Sequence, residues 1–240
     1  MRVLNDLVGL NLKIYQDEDF FKFSLESILL PNFVTINPRD KMILDLCTGN
    51  APIPLVLSTK TKTKIYAVEL QKEIFDLAID SIKLNQKEDQ IEVLNEDVKR
   101  LNKIFKGDTF DIITVNPPYF KTSDKSIINT NKTKSIARHE TELTLDELLK
   151  MASFLLKNNA SFYMVHRTER LIEIIEKLKE YHLIPKQLQF IHPYKDKESK
   201  LFLIKATKNG KDGLKVLEPI YIHDQDGNYN DYIKEIFEKR

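Results

Sequence analysis

The sequence has a single cysteine, Cys47, so no internal disulfide can form. No uninterrupted apolar stretch approaches the length of a membrane span. The start, Met1-Arg2-Val3-Leu4-Asn5-Asp6, lacks the basic region and apolar run of a secretory signal. Together these absences predict a reducing, cytoplasmic setting without a membrane partner. Internal repeats and low-complexity blocks are missing too. Arginine supplies only seven of the 37 basic residues, a bias that fits an AT-rich genome, so the lysine richness says little about partners. An excess of one charge is also absent: the net charge is +1, which removes any global electrostatic argument for nucleic acid.

What is present is a chain of 240 residues, 42% hydrophobic and 30% charged, long enough for one substantial core and too short for two large domains. Charge is uneven along it. Lys121, Lys125, Lys132, Lys134 and Arg138 face one acid, Asp124, a local balance of +4. From Lys195 to Lys215 seven lysines face Asp196, Glu198 and Asp212, again +4, whereas Glu218 to Arg240 carries six acids and three bases. Either basic segment, Lys197 and Lys200 included, suits phosphate contacts, and equally suits a solvated lysine face.

Short apolar runs alternate with amphipathic segments in a β-α-β rhythm that predicts a parallel sheet. Strands are expected at Met42–Leu46, Ile65–Val68, Ile91–Leu94, Phe110–Val115 and Ser161–Val165. Helices are expected after the turn at Gly49, over 71–85, from a capping box at Thr144 and Glu147, and over 169–181. Gln187–Ile191 and Lys200–Ala206 form a hairpin at the end of the sheet. A turn at Asp226-Gly227-Asn228 precedes a last helix. The polar stretch 121–141 exceeds an ordinary βα connection and reads as a substrate loop or a disordered segment.

Three strand ends carry the chemistry. Asp45-Leu46-Cys47-Thr48-Gly49-Asn50-Ala51 closes the first strand and opens a helix, where open α/β sheets bind nucleotide-like ligands. It is similar to the D-x-G-x-G-x-G motif of class I methyltransferases, with Cys47 and Ala51 replacing two glycines; an ordinary strand-to-helix turn is the alternative. Glu69, about 20 residues on, can accept both hydroxyls of a ribose. Asp97, after the third strand, sits where that superfamily reads adenine. Leu70 and Val98, next along the chain, complete the expected cofactor wall.

Asn116-Pro117-Pro118-Tyr119 is the sharpest pattern. A planar amine or amide nitrogen is a poor nucleophile because its lone pair is delocalised. The Asn116 oxygen and the Pro117 carbonyl can accept its two hydrogens and draw it toward sp³ geometry. The prolines keep those acceptors rigid, and Tyr119 offers a face for stacking. With a sulfonium leaving group, positioning does most of the work and no strong base is needed. The tetrapeptide leaves adenine, guanine and glutamine nitrogens open as acceptors.

From Phe23-Ser24-Leu25-Glu26-Ser27-Ile28-Leu29-Leu30 through Ala137-Arg138-His139-Glu140 to Gly213-Leu214-Lys215-Val216-Leu217, the chain resembles the bacterial tRNA1(Val) adenine-37 N6-methyltransferases. The resemblance implies a Rossmann-like class I α/β fold: a seven-stranded, mostly parallel sheet with helices on both faces. It implies S-adenosylmethionine as cofactor, no metal, and an anticodon stem-loop as substrate. Asn116, Pro117 and Tyr119 would act on the amine. Asp45, Cys47, Gly49, Asn50, Glu69, Leu70, Asp97, Val98 and Asn116 would surround the cofactor, with Glu26, where the family usually has aspartate, as a further candidate. His139 would order the basic segment or touch substrate or cofactor. A single domain over 1–240 is expected, with an extension to about residue 37 lying over the cofactor side, a Rossmann-like core over 38–206 and a hairpin and helix added over 207–240, and a monomer is favoured. The rivals are a protein glutamine N5-methyltransferase, a ribosomal RNA guanine N2-methyltransferase, and a non-catalytic RNA-binding module.

Overall fold

The computed structural model describes residues 2–7, 11–17, 25–117 and 143–238. Its centre is a nine-stranded sheet in the order β10-β8-β9-β7-β6-β3-β4-β5, with β11 pairing on β8. Seven strands form the body: β3 (Met42–Leu46), β4 (Lys64–Glu69), β5 (Ile91–Asn95), β6 (Phe110–Val115), β7 (Leu156–Arg167), β8 (Leu183–His192) and β9 (Leu201–Lys208). All neighbours from β5 to β7 pair parallel, and β9 enters antiparallel between β7 and β8. The seven-stranded, mostly parallel sheet is therefore present, extended at its edge by the two-residue strands β10 (Lys215–Val216) and β11 (Ile220–Tyr221). Both add parallel to β8 instead of pairing with each other.

The strands are buried on both faces because helices cover both. Helices α1 (Glu26–Phe33), α2 (Pro52–Lys60) and α3 (Lys72–Leu84) lie on one side, over a core that includes Ile43, Ile65, Ile112 and Tyr163. On the other side α4 (Leu145–Leu155) and α5 (Leu171–Glu180) cover Leu44, Val68, Phe110, Phe162 and Met164. Alternate residues of each strand thus feed different cores, as a pleat of period two requires. The capping box at Thr144 and Glu147 starts α4 as expected, each side chain bonding the other's backbone N–H.

The N-terminal segment contains a hairpin that the sequence pattern did not reveal, β1 (Arg2–Leu7) with β2 (Leu12–Asp17). Helix α3 satisfies the open edge of β2: Lys13 N–H donates to Asn85 Oδ1 (2.9 Å) and Tyr15 N–H to Ser81 Oγ (3.0 Å). These bonds remove two of the unpaired donors that an edge strand otherwise presents. At the C-terminus α6 (Asp231–Glu238) docks Ile233 and Ile236 into the core beside α1 and α2.

Phe110 is fully buried and meets the rings of Tyr66 and Phe105 edge to face, at 5.9 and 5.0 Å. This cluster closes the sheet face under α4. Phe110→Ala should lower the unfolding free energy by about 3–5 kcal/mol, read from the denaturant midpoint at unchanged slope.

Candidate active site

The parallel register sets the site. Leu46 pairs with both Val68 and Val115, and Glu69 pairs with Asn95. The residues that leave the sheet at the same level are therefore Asn116, Cys47, Glu69 and Asn95, in that order across four adjacent strands. At about 4.8 Å per strand, Asn116 and Glu69 stand about 10 Å apart. This is the carboxyl edge of the strands, where doubly wound sheets place their ligands.

The turn after β3 takes a left-handed backbone at each alternate position: Cys47 (φ 55°), Gly49 (φ 60°) and Ala51 (φ 70°). These are the positions that class I methyltransferases fill with glycine, so the turn keeps its shape without two of its glycines. A side chain with a Cβ costs about 1–2 kcal/mol in this conformation. Such alternation turns successive N–H groups to one side. A Cβ placed on Gly49 would meet nothing within 4 Å, so open space lies above it. Pro52 then begins α2 in the first turn, where a missing N–H costs nothing.

Two carboxylates are buried beside this turn. Glu69 is 6% exposed; its Oε2 accepts from Gly49 N–H (3.0 Å) and its Oε1 from Gln71 N–H (2.9 Å). Each oxygen keeps acceptor capacity for one hydroxyl of a diol. Burial raises the Glu69 pKa, opposed by the backbone donors of Gln71, Gly49 and Leu70. Asp45 is fully buried and accepts from Thr114 Oγ1 (2.5 Å). Desolvation pushes its pKa up to about 7; the hydroxyls of Thr114 and Thr48 favour the charged form and Glu69 opposes it. Even so, Asp45 Oδ2 and Thr48 Oγ1 have no hydrogen-bond partner among the described residues. Burial, then the charges of Glu69, Asp45 and Asp97, hold the Cys47 thiol protonated, which excludes a thiolate nucleophile.

The remaining cofactor candidates surround this centre. Asn50 is 6% exposed and its Nδ2 donates to the Tyr15 carbonyl (2.8 Å), tying the turn to β2. Leu70 leaves an apolar side chain exposed beside Glu69. Asp97 caps the 3-10 turn Val98–Lys103, accepting from Lys99 N–H (2.9 Å), while the Val98 side chain belongs to the core. Asn95 steadies the end of β4 by donating to the carbonyls of Glu69 and Leu70 (2.9 and 3.0 Å).

Asn116 emerges from β6 with its Nδ2 donating to Ser27 Oγ (3.3 Å), and Ser27 is buried at the start of α1. That bond turns the amide nitrogen toward α1 and the oxygen away from it. Pro117 is buried next to it, and Glu26 precedes Ser27. His166 ends β7 on the opposite face of the sheet; its Nδ1 accepts from Arg167 N–H (2.8 Å), and burial, then Arg170, lowers its pKa to about 3. It stays neutral. Lys197 and Lys200 are exposed in the β8–β9 connection, at the same sheet edge as Asn116 and about 10–15 Å away by strand count. Tyr119, Lys121, Lys125, Lys132, Lys134, Arg138 and His139 lie outside the described residues. Among those described, no group of three or more His, Cys, Asp or Glu is placed to hold a metal, and no helix is long and apolar enough to cross a membrane.

The sequence reading missed Ser27, Thr114 and Asn95. Ser27 alone carried a signal, since it lies inside the Phe23–Leu30 stretch.

The sheet order and the turn define the Rossmann-like fold of class I methyltransferases. The structure of a protein described as a predicted O-methyltransferase from Agrobacterium tumefaciens superposes with a TM-score of 0.70 at 19% identity, over 88% of this chain and 94% of that one. More particularly, the chain belongs to the family described as Conserved hypothetical protein 95, whose pattern matches residues 29–159. It is similar to two proteins named tRNA1(Val) (adenine(37)-N6)-methyltransferase. The one from Cytophaga hutchinsonii is 27% identical over 78% of this chain and 76% of its own length. The one from Bacteroides thetaiotaomicron is 26% identical over 93% of each.

Two measurements check this account. Ala51→Gly should stabilise the protein by about 1 kcal/mol in denaturant titration, because glycine relieves the left-handed strain and caps a helix better than alanine. For Asp45 the folded pKa, about 7, lies above the ordinary 3.8. Its contribution to stability is therefore full below about pH 4 and lost as pH rises through 7. Over that interval wild type should lose stability relative to Asp45→Asn.

Proposed function

We propose that the chain transfers a methyl group from S-adenosylmethionine to N6 of an adenine in tRNA, at position 37 beside the anticodon of tRNA1(Val). The observation that carries this reading is the row Asn116, Cys47–Ala51 and Glu69 at one level of the sheet edge. The names of the relatives at 26–27% identity support the choice of adenine and of tRNA.

The donor set fits this cofactor. Glu69 offers two carboxylate oxygens to a ribose diol, Asp45 has an unpartnered oxygen for a cationic group, and open space lies over Gly49. Leu70 gives the adenine an apolar neighbour, and Asp97 is an acceptor for its amino group. When bound, the cofactor supplies an electrophilic methyl on a sulfonium, an excellent leaving group. The chain's part is orientation. Ser27 holds the Asn116 amide, whose oxygen, with the Pro117 carbonyl, accepts the two N6 hydrogens and aims the nitrogen lone pair. Tyr119 would stack on the base, and the basic segment from Lys121 to Arg138, with Lys197 and Lys200, would meet phosphates. An adenine in an anticodon loop is already partly unstacked, so its extrusion costs least. The enzyme would work as a cytoplasmic monomer, without a metal.

Labelled cofactor supplied with tRNA, ribosomal RNA and release factor, followed by nucleoside and amino-acid analysis, tests the reading. N6-methyladenosine in tRNA is expected; label found only in methylglutamine or N2-methylguanosine would overturn it. Asn116→Ala should lower transfer by at least about 100-fold, the scale for losing a group aimed at the transition state, with cofactor affinity nearly intact by calorimetry.

A further inference from the structure

The N-terminal hairpin carries a buried donor that no described residue uses. Leu12, Ile14 and Gln16 alternate on the inward face of β2, and all three are buried. Two of them join the apolar core, but Gln16, at 5% exposure, brings an amide there. Its Oε1 accepts from Asn5 Nδ2 (2.6 Å), while its Nε2 has no hydrogen-bond partner among the described residues. Buried amide donors are nearly always paired, so this one asks for an acceptor beyond the described residues.

Its position says where that acceptor belongs. The carbonyl of the preceding residue, Tyr15, is held by Asn50 Nδ2 at 2.8 Å, and Asn50 follows Gly49, whose N–H binds Glu69. Gln16 is therefore placed against the same turn that frames the proposed cofactor site. The acids there, Asp45 and Glu69, suit the ammonium and the ribose diol of S-adenosylmethionine, yet they repel its single anionic group, the carboxylate of the amino-acid end. That group needs N–H donors. Because the turn's Gly49 N–H is engaged by Glu69, a side-chain donor from outside the turn answers the need.

We propose that Gln16 Nε2 binds the α-carboxylate of S-adenosylmethionine, making the N-terminal hairpin part of the cofactor site. The inference rests on the cofactor reading given above. It is tested by calorimetry on wild type and Gln16→Met with two ligands: S-adenosylmethionine, and 5′-methylthioadenosine, which keeps adenine, ribose and sulfur but lacks the amino-acid end. Methionine matches glutamine in length and removes the donor without opening a cavity. The variant should bind S-adenosylmethionine about tenfold or more weakly, the scale of a hydrogen bond to a charged group, and methylthioadenosine as wild type does. Its melting temperature should be unchanged or higher, because the unpaired buried group is gone. Unchanged affinity for S-adenosylmethionine overturns the assignment, and so does equal weakening of both ligands, which marks a purely structural residue. Wild type binding neither ligand would instead remove the cofactor reading itself, and the assignment with it.

Discussion

The parallel register of β3 against β4 and β6 is the constraint on which the site depends, and the bond from Gly49 N–H to Glu69 Oε2 is where it becomes chemistry. With Leu46 opposite both Val68 and Val115, the chain leaves β3 at the height where β4 delivers Glu69 and β6 delivers Asn116. A slip of one residue in any of these strands would carry its side chains to the other face. Asp45 would then leave Thr114 for the α4 side, and Leu44 would take its place over α2. Because both faces are packed with large apolar residues, such a slip is strongly disfavoured. The apolar core thus sets the positions of the polar groups at the edge.

Unfavourable features are concentrated at that edge. Two non-glycine residues sit in the left-handed region, Asp45 and Glu69 are desolvated, and Asp45 Oδ2 and Thr48 Oγ1 lack partners. Such features persist only where surrounding structure over-determines them, and they mark places where a ligand completes the interactions. Here the surrounding structure is identifiable. Pro52 and α2 hold the far end of the turn, Asn50 ties it to β2, and α3 in turn holds β2 through Ser81 and Asn85. The hairpin, the turn and α3 brace one another.

The body strands were legible because each is a short apolar run bounded by turn residues and buried on both faces. Asn116 was legible because the two prolines and the aromatic make little sense as an ordinary strand exit. The hairpin was not, for a physical reason: its inward positions include Asn5 and Gln16, so the apolar alternation that announces a strand is broken there. Ser27 and Thr114 became site residues only through pairing with Asn116 and Asp45, 89 and 69 positions away. The left-handed conformations of Cys47 and Ala51 were hidden because both residue types argue against them, and only the demand of the turn overrides that preference. Strands β10 and β11, two residues each, are too short for any period to show.

The titratable groups near Asn116 also limit the chemistry. Cys47 is held as a thiol, and His166 is held neutral and bonded on the opposite face. Asp45 lies on β3 beside β6 with its Oδ1 bonded to Thr114, and Glu69 ends β4, bonded to Gly49 and Gln71. For a nitrogen that becomes a better acid once methylated, no base is required: the new N–C bond leaves a cationic amine that loses its proton to water. What must be supplied is direction for the lone pair. On the proposed reading, the bond from Asn116 Nδ2 to Ser27, backed by the burial of Pro117, would supply it by fixing the acceptors before the substrate arrives.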